Sequence, residues 1–594
     1  MNNPTGDLAL SLETADNSIS HGERSATPPS EMSVSSLKNR EQRTSLIALV
    51  KSLANAPAPV AAENLREIIA FENKLYPIIQ ADKRWFFSRA NKIEAIQFSR
   101  DMFVLHSVAA QTLATLIDRR AEWSYTNSDQ LLQQMVAFAL YHYCAAIKWS
   151  FFRHEPIKPT VWPELHKLFQ FAEKNGFATS AVILFDDAPT TSAVARPDYI
   201  SAQSLYIRAL LLDVLNTGSL TTEQVEIADG WLAEWASKYS FENTYLPNAH
   251  SLFVDLQMPA GLQLITGSSA GNHHRYLRQD ALKNQVEAVR NELRAGRTYQ
   301  GRGAPYAFTM EQHVALLSTI ERLYQTLLNA SASRIEERTE VANLSAEICL
   351  DFESVRRAIA GEAPPLPAES SDAMKFGAIE LSLAPVLNSE ARAAEFIEES
   401  IDESKGEPDG QSNDESNATK AQRQAHQRLR PRWKIYDISS KGVGLLVERA
   451  AGEEVSLNQI IAIKPDSFAY WMVGVVVRKI MQPTTGQTLL GVQILCYRPL
   501  PVSLTRTVAA TDSRAETEAA VATLAATVTI AALYLPDINQ DGKSDILILP
   551  ASDFQLKNVF SLVAETSQFS VRINRVLRQG RDWVGLRFEV IGKA

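Results

Sequence analysis

The feature that most constrains the fold is a change in hydrophobic period near Arg430. Upstream, segments such as QLLQQMVAFALYHYCAAIKWSFF (130–152) place apolar residues three and four positions apart, which is typical of helices. Downstream, short β-branched runs such as WKIYDIS, GVGLLVE and QIIAIKP are separated by turn residues, which predicts strands. The chain is therefore predicted to be a multidomain α + β protein, with its helices first and its strands last.

Composition divides the chain into five predicted parts. Residues 1–43 are rich in Ser, Thr, Asn and Pro and are predicted to be disordered. Residues 44–362 show no strict repeat and are predicted to form an irregular α-helical array. Residues 363–420, acidic and then polar, are predicted to be a flexible linker, and 421–508 and 509–594 to be two β modules.

The two β modules share an ending. VVVRKIMQPTTGQTLLGVQIL and VRINRVLRQGRDWVGLRF both run as strand, basic residue, turn and glycine-containing strand. This similarity favours a degenerate duplication, although common turn chemistry would also produce it.

One helix boundary is predicted in detail. Thr221 is placed to cap a helix, and Gln224, three residues on, completes a capping box. Leu220 and Val225 have the spacing of a hydrophobic staple. Gly218 is predicted to end the preceding helix as its C′ residue.

Charge and cysteine content limit the classes of function. The net charge of −9 argues against non-specific nucleic-acid binding by the whole molecule. Three distant cysteines form neither a zinc-binding spacing nor a disulfide framework, which favours a reducing compartment. The N-terminus lacks a signal-peptide core. Residues 519–536 are interpreted as linker and strand rather than a membrane span, so the protein is predicted to be cytoplasmic.

The stretch QRLRPRWKIYDISSKGVGLLVE (427–448) contains the main candidate site. Asp437, Ser439 and Gly442 form a D-x-S-x-x-G pattern, and Arg428 and Arg432 form R-x-x-x-R just before it. Guanidinium groups suit phosphate oxygens and the guanine edge, and a carboxylate accepts hydrogen bonds from guanine N–H groups. Asp, Ser and Gly are also common in turns for local reasons, so an ordinary hairpin stays open as the alternative.

The D-x-S-x-x-G pattern and the apolar strands around it resemble the PilZ domain, a small β-barrel that binds cyclic di-GMP. The resemblance covers about 421–505, and the last 80 or so residues resemble a diverged second copy. It implies that Arg428 and Arg432 grip phosphate, that Asp437 and Ser439 meet guanine, and that Gly442 shapes the turn. Only four residues separate Arg432 from Asp437, whereas the family usually has a whole strand and turn there.

Two other motifs have some features of metal sites. Asp537, Asn539, Asp541 and Asp545 have calcium-loop spacing, but Ile548 occupies the position of the bidentate Glu, which favours a solvated hairpin. The adjacent His273 and His274 (HHRYLRQD) are predicted to start a solvated helix, where neighbouring side chains point in different directions. No metal site and no cofactor are therefore predicted.

The resemblance leads to one functional hypothesis and one alternative. The chain contains no nucleophile elbow, Walker loop, Rossmann fingerprint, zinc-protease or kinase motif, so a non-enzyme is predicted. The expected function is a cyclic di-GMP receptor or adaptor whose helical region engages a protein partner across the acidic tether. The alternative is a scaffold whose PilZ-like modules no longer bind nucleotide.

Overall fold

The structure, a computed structural model, describes residues 62–593 and a few positions between 41 and 55. Apart from single residues, the positions it leaves out of that span are 90–91, 124–128, 186–198, 266–270, 300–307, 329–338, 342–343, 362–429, 509–525, 537–544, 554–558 and 565–566. The predicted disorder of residues 1–43 falls almost wholly, and that of 363–420 wholly, outside the described residues. Within the described residues a helical region precedes two closed six-stranded β-barrels, which confirms the predicted multidomain α + β fold.

Apolar residues at helical spacing fold the N-terminal region into a bundle. Its helices are α1 (Ala62–Arg89), α2 (Lys92–Asp118), α3 (Asp129–Phe152), α4 (Val161–Lys174), α5 (Ala202–Leu215), α6 (Thr222–Trp235), α7 (Gln279–Arg294) and α8 (Met310–Leu328). Helix α3 is apolar on nearly every face and packs against α2, α4 and α5, as a helix at the centre of a domain must. The described part of the chain contains no helix with the length and apolar character needed to cross a membrane.

The predicted capping box is confirmed at the start of α6. The Thr221 hydroxyl accepts from the Gln224 amide, and the Gln224 side chain accepts from the Thr221 amide. These bonds satisfy backbone groups that a helix N-terminus otherwise leaves unpaired. Gly218 has the left-handed φ of +73° but lies two residues beyond the C-cap Asn216, one residue later than predicted.

Helix α3 also carries part of a buried ionic cluster. Lys148 Nζ lies 2.9 Å from Glu226 and 2.7 Å from Asp229, Arg208 lies 2.6 Å from Asp229, and Lys83 pairs with Glu226. Burial opposes the ionisation of Asp229, but Arg208 and Lys148 outweigh it and lower the pKa of Asp229 well below its usual range. Burial also lowers the pKa of Lys83 to about 8, although Glu226 acts in the opposite direction.

Short strands interrupt the region that was predicted to be helical throughout. β1 (Val182–Ile183) pairs with β2 (Tyr199–Ile200), and β3 (His250–Asp255) lies between β4 (Gln263–Leu264) and β5 (His274–Arg278). The prediction of a helix start at His273 and His274 is therefore wrong. Their segment is extended because its backbone pairs with β3, an interaction that the local sequence does not reveal.

The first barrel begins inside residues 44–362, which were predicted to be helical. Its strands are β7 (Ser345–Leu350), β8 (Arg432–Ser439), β9 (Gly442–Val447), β10 (Ile460–Pro465), β11 (Met472–Met481) and β12 (Thr488–Cys496), in the closed order β8-β7-β10-β11-β12-β9. The two-residue strand β6 (Thr339–Glu340) also pairs with β8. Because β7 pairs with both β8 and β10, residues 362–429 separate two strands of the barrel in sequence and do not precede the barrel.

The second barrel also begins earlier than predicted. Its strands are β13 (Leu500–Val508), β14 (Ala526–Leu535), β15 (Ile546–Pro550), β16 (Val559–Ala564), β17 (Ser567–Gln579) and β18 (Trp583–Lys593). β13 was assigned to the first module, yet it pairs with β14 and β16. The predicted strand in the second half of 519–536 is confirmed as β14.

The two barrels share a hydrophobic core with helix α9 (Phe352–Gly361), and the helix α10 (Arg449–Glu454) follows β9. Trp583 from β18 packs in this core with Ile460 and Val475 of the first barrel. Its indole N–H donates to the Asn458 carbonyl at 2.9 Å. The junction between the barrels therefore combines apolar packing with a hydrogen bond from the buried indole N–H, which favours one relative position of the two barrels.

The first barrel contacts the helical region through β11. The Lys479 amide donates to the Gly218 carbonyl at 2.8 Å, and the Met481 amide donates to the His154 carbonyl at 2.9 Å. A methyl group on Gly218 would lie 2.5 Å from Ile480 Cγ1, so only glycine permits this approach. These hydrogen bonds join the first barrel directly to the helical region, whereas the acidic segment expected to tether the two parts falls between strands of the first barrel in sequence.

Candidate functional site

The D-x-S-x-x-G residues form the bend between β8 and β9. Asp437 is the Cα partner of Gly444, and Ser439 is the partner of Gly442, with a register shift between Ile435 and Asp437. Asp437 and Ser439 are each only 8% exposed. The Ser439 hydroxyl donates to the Gly442 carbonyl at 3.4 Å. The bend is therefore a tight, partly enclosed part of the barrel wall.

Two glycines allow the chain to close around this bend. A Cβ on Gly442 would lie 2.9 Å from the Val492 carbonyl oxygen, and a Cβ on Gly444 would overlap the Asp437 carboxylate. Without a side chain at residue 444, the carboxylate lies directly over the neighbouring strand. Its position is thus set by the barrel backbone.

Of the two arginines that were predicted to complete the site, only Arg432 is among the described residues, and it lies away from this bend. Arg432, the first residue of β8, forms an ion pair with Asp466. Asp437 lies five positions further along the strand, roughly 16 Å at 3.3 Å per residue, whereas charge coupling requires about 4–6 Å. Arg430 lies 5.1 Å from the centre of the Trp471 ring. Arg428 lies outside the described residues.

The described surroundings of the bend contain charges of both signs. Glu340 on β6 is the Cα partner of Asp437, and it accepts a hydrogen bond from the Tyr436 hydroxyl at 3.2 Å. Lys434 and Lys441 are exposed nearby in the sequence. Two acidic residues on adjacent strands disfavour a phosphate group, so an anionic ligand here needs further positive groups.

The sequence contains a second R-x-x-x-R pattern that was not predicted to be part of the site. Arg334 and Arg338 precede β6 directly in the sequence, and both lie outside the described residues. The structure identifies β7 as the barrel strand before β8, so these arginines stand at the upstream position that the family resemblance implies. The missed signal was the strand pattern SAEICL (345–350), which the 68-residue segment 362–429 separates from the rest of the barrel.

A cavity of about 340 Å³ lies between the helical region and the first barrel. Arg100 and Glu453 form a 2.6 Å ion pair at its wall, and Lys479 donates to the Val455 carbonyl at 2.8 Å. Burial, with a smaller effect from Lys479, lowers the pKa of His154 to about 3. The cavity adjoins α10, which follows the end of β9 distant from the D-x-S-x-x-G bend, so it is separate from the bend.

Of the remaining predicted candidates, the calcium-type loop lies outside the described residues apart from Asp545. The strands β14 and β15 on either side of it pair as a hairpin. All three cysteines are buried.

Comparison with known proteins adds one match. The family model described as "Cyclic-di-GMP receptor FimW, N-terminal domain" matches residues 36–247, about a third of the chain. This range covers helices α1 to α6 and ends before β3. No curated protein and no solved structure gives a significant match.

Proposed function

We propose that this protein is a non-enzymatic cyclic di-GMP receptor whose first barrel binds the nucleotide at the β8–β9 bend. The observation that carries the proposal is the combination of two independent features in one chain. The helical region is similar to the N-terminal domain of a cyclic di-GMP receptor. The D-x-S-x-x-G residues form a backbone-defined bend on a closed barrel.

The chemistry of the bend suits a guanine base. The Asp437 carboxylate accepts hydrogen bonds from guanine N–H donors, and the Ser439 hydroxyl adds a small polar contact. Because Gly444 carries no side chain, the Asp437 carboxylate lies directly against β9, which fixes the acceptor that the base would meet. Fixed placement of these groups reduces the ordering cost of binding.

The phosphates of the ligand require cations, and we assign this role to Arg334 and Arg338. Thr339 pairs with Ile438 and Glu340 pairs with Asp437, so β6 runs along the strand that leads into the bend. Arg338 is bonded directly to Thr339, and consecutive Cα atoms are 3.8 Å apart. In sequence, Arg338 is therefore the residue next to the β6 position that pairs with Ile438. Arg428 and Arg432 are the competing pair.

The experiment is isothermal titration calorimetry of the full chain with cyclic di-GMP. We expect saturable binding that Asp437→Ala and Arg338→Ala each weaken by about 5- to 150-fold, the equivalent of 1–3 kcal/mol for one charged contact. Arg432→Ala is the matched control and is expected to retain affinity, because its guanidinium is engaged by Asp466. Loss of binding in Arg432→Ala alone would instead assign the phosphates to the Arg428–Arg432 pair.

The second candidate function is a scaffold without nucleotide binding. The ion pair between Arg432 and Asp466 favours it, because that arginine is already neutralised. Absence of binding heat at high ligand concentration, in protein with an intact unfolding transition, would establish the scaffold and contradict the receptor.

We further propose that the helical region engages a protein partner. Ile93 and Val104 on α2 are 80% and 49% exposed, although most apolar side chains of this region are buried. They are about three helical turns apart and so lie on one face. The backbone contacts between β11 and the helical region offer a direct route by which ligand binding at the barrel alters that face. Partner capture with and without cyclic di-GMP, using Ile93→Lys as the variant, tests this.

A further inference from the structure

We propose that Asp255, His273 and His274 form a binding site for a divalent transition metal of the zinc class. The side-chain ligand atoms of the three residues lie within 4.8 Å of one another. The site lies beyond residues 36–247 and uses none of the residues of the β8–β9 bend. It is therefore independent of the proposed nucleotide site.

The distances approach those of a tetrahedral centre. His274 Nε2 lies 3.6 Å from Asp255 Oδ2, and His273 Nε2 lies 3.8 Å from Asp255 Oδ1. Metal–nitrogen bonds of about 2.0–2.1 Å imply ligand–ligand distances of roughly 3.3–3.5 Å around a tetrahedral ion. Small side-chain rotations would close the difference. Imidazole and carboxylate ligands suit Zn²⁺, whereas Ca²⁺ and Mg²⁺ prefer sites made of oxygen atoms alone.

The backbone holds the three ligands in place. Asp255 ends β3 and pairs with His274 at the start of β5, while the Leu256 amide donates to the His273 carbonyl at 3.1 Å. A Cβ on Gly271 would lie 3.1 Å from His273 Nε2 and 3.3 Å from His274 Cε1, so glycine leaves room for both imidazoles. These constraints come from a paired sheet end and not from a mobile loop.

Residues around the ligands orient them further. His274 Nδ1 lies 3.3 Å from the Tyr276 hydroxyl, which leaves Nε2 facing Asp255. A hydrogen bond to the second imidazole nitrogen is the usual support of a metal-binding histidine. Arg275 forms a two-point contact with Glu173 at 2.8 Å and also donates to the backbone at Asn272 and His274. The positive charge closest in sequence is thus already paired.

Burial suggests the coordination state. The side chain of His274 is 8% exposed and that of Asp255 is 17% exposed, whereas His273 is 36% exposed. Three protein ligands with one side open to solvent leave a fourth position for water. The ion would join the two ends of the segment between β3 and β5.

The test measures metal binding to the full chain after chelator treatment. We expect one Zn²⁺ per chain by competition with a chromophoric chelator, and a tetrahedral visible spectrum when Co²⁺ replaces it. Asp255→Asn and His273→Gln should abolish the Co²⁺ spectrum. Tyr276→Phe should weaken Zn²⁺ binding by about tenfold, the lower end of the effect of supporting residues.

The double variant His21→Gln/His426→Gln is the control, because it removes two histidines from other parts of the chain. It should bind Zn²⁺ as the unmodified protein does. Unfolding transitions in chelator show that each variant is folded. Zn²⁺ binding that survives Asp255→Asn and His273→Gln, or no stoichiometric binding by the unmodified chain, would overturn the assignment and leave an ordinary carboxylate–histidine cluster.

Discussion

Replacement of Gly218 by alanine should loosen the contact between the helical region and the first barrel. The new methyl group would lie 2.5 Å from Ile480 Cγ1 and 2.8 Å from the Lys479 carbonyl oxygen, so β11 must move away. The left-handed backbone at φ +73° also destabilises the alanine variant by roughly 1–2 kcal/mol relative to glycine. Moving β11 breaks the hydrogen bonds from the Lys479 and Met481 amides, worth together about 1–3 kcal/mol.

Gly176→Ala separates the two effects. Gly176 has nearly the same φ, +76°, but no heavy atom lies within 4 Å of a Cβ built there. Both variants therefore carry the backbone strain, and only Gly218→Ala displaces β11. Amide hydrogen exchange across β11 should accelerate about 5- to 150-fold in Gly218→Ala relative to Gly176→Ala. Equal exchange at Lys479 and Met481 in the two variants would refute the reasoning.

Three further outcomes follow from buried charges and strand connectivity. Asp229→Asn should lower the free energy of unfolding of the helical region by about 3–5 kcal/mol in urea titrations, because it removes the buried carboxylate that pairs with Lys148 and Arg208. A loss below about 1 kcal/mol would contradict an ionised cluster. The folded chain releases the Lys83 proton near pH 8, whereas the unfolded chain keeps it up to about pH 10.5. Between these pH values the free energy of unfolding of the unmodified protein should therefore rise by about 3 kcal/mol relative to that of Lys83→Met. If the difference between the two proteins does not change with pH, the lowered pKa is contradicted. After cleavage at a protease site engineered into 362–429, the two fragments should co-elute in gel filtration, because β7 of the first fragment stays paired with β8 and β10 of the second. Separate elution of the fragments would exclude this barrel topology.

Local signals in the sequence were sufficient for the class of fold and for some details. The change of period near Arg430 correctly separates helices from most of the strands, and the box formed by Thr221 and Gln224 was identified from two residues. The bend at Asp437 was also placed correctly between two strands. In each case, the information lies within a few neighbouring residues, where propensity and capping act directly.

Long-range pairing accounts for the errors. β7 is a six-residue strand whose partners begin far downstream, so periodicity around it could not assign it to a barrel. Asp255 was not associated with His273 and His274 either, because their proximity depends on the pairing of β3 with β5, which local sequence does not reveal. The proposed role of Arg334 and Arg338 was not predicted for the same reason, because it depends on which strand precedes β8. The binding of nucleotide and metal stays a prediction.

The split of the first barrel also governs how the chain emerges from a ribosome. Strand β7 leaves the exit tunnel early, but its neighbours begin only at Arg432 and Ile460. At about 5–20 residues added per second, the wait lasts several seconds. During that time Ala346 and Ile348, both fully buried in the finished barrel, have no strand beside them. A nascent chain at this stage displays an unsatisfied apolar edge, the kind of surface that chaperones recognise and that neighbouring nascent chains can capture.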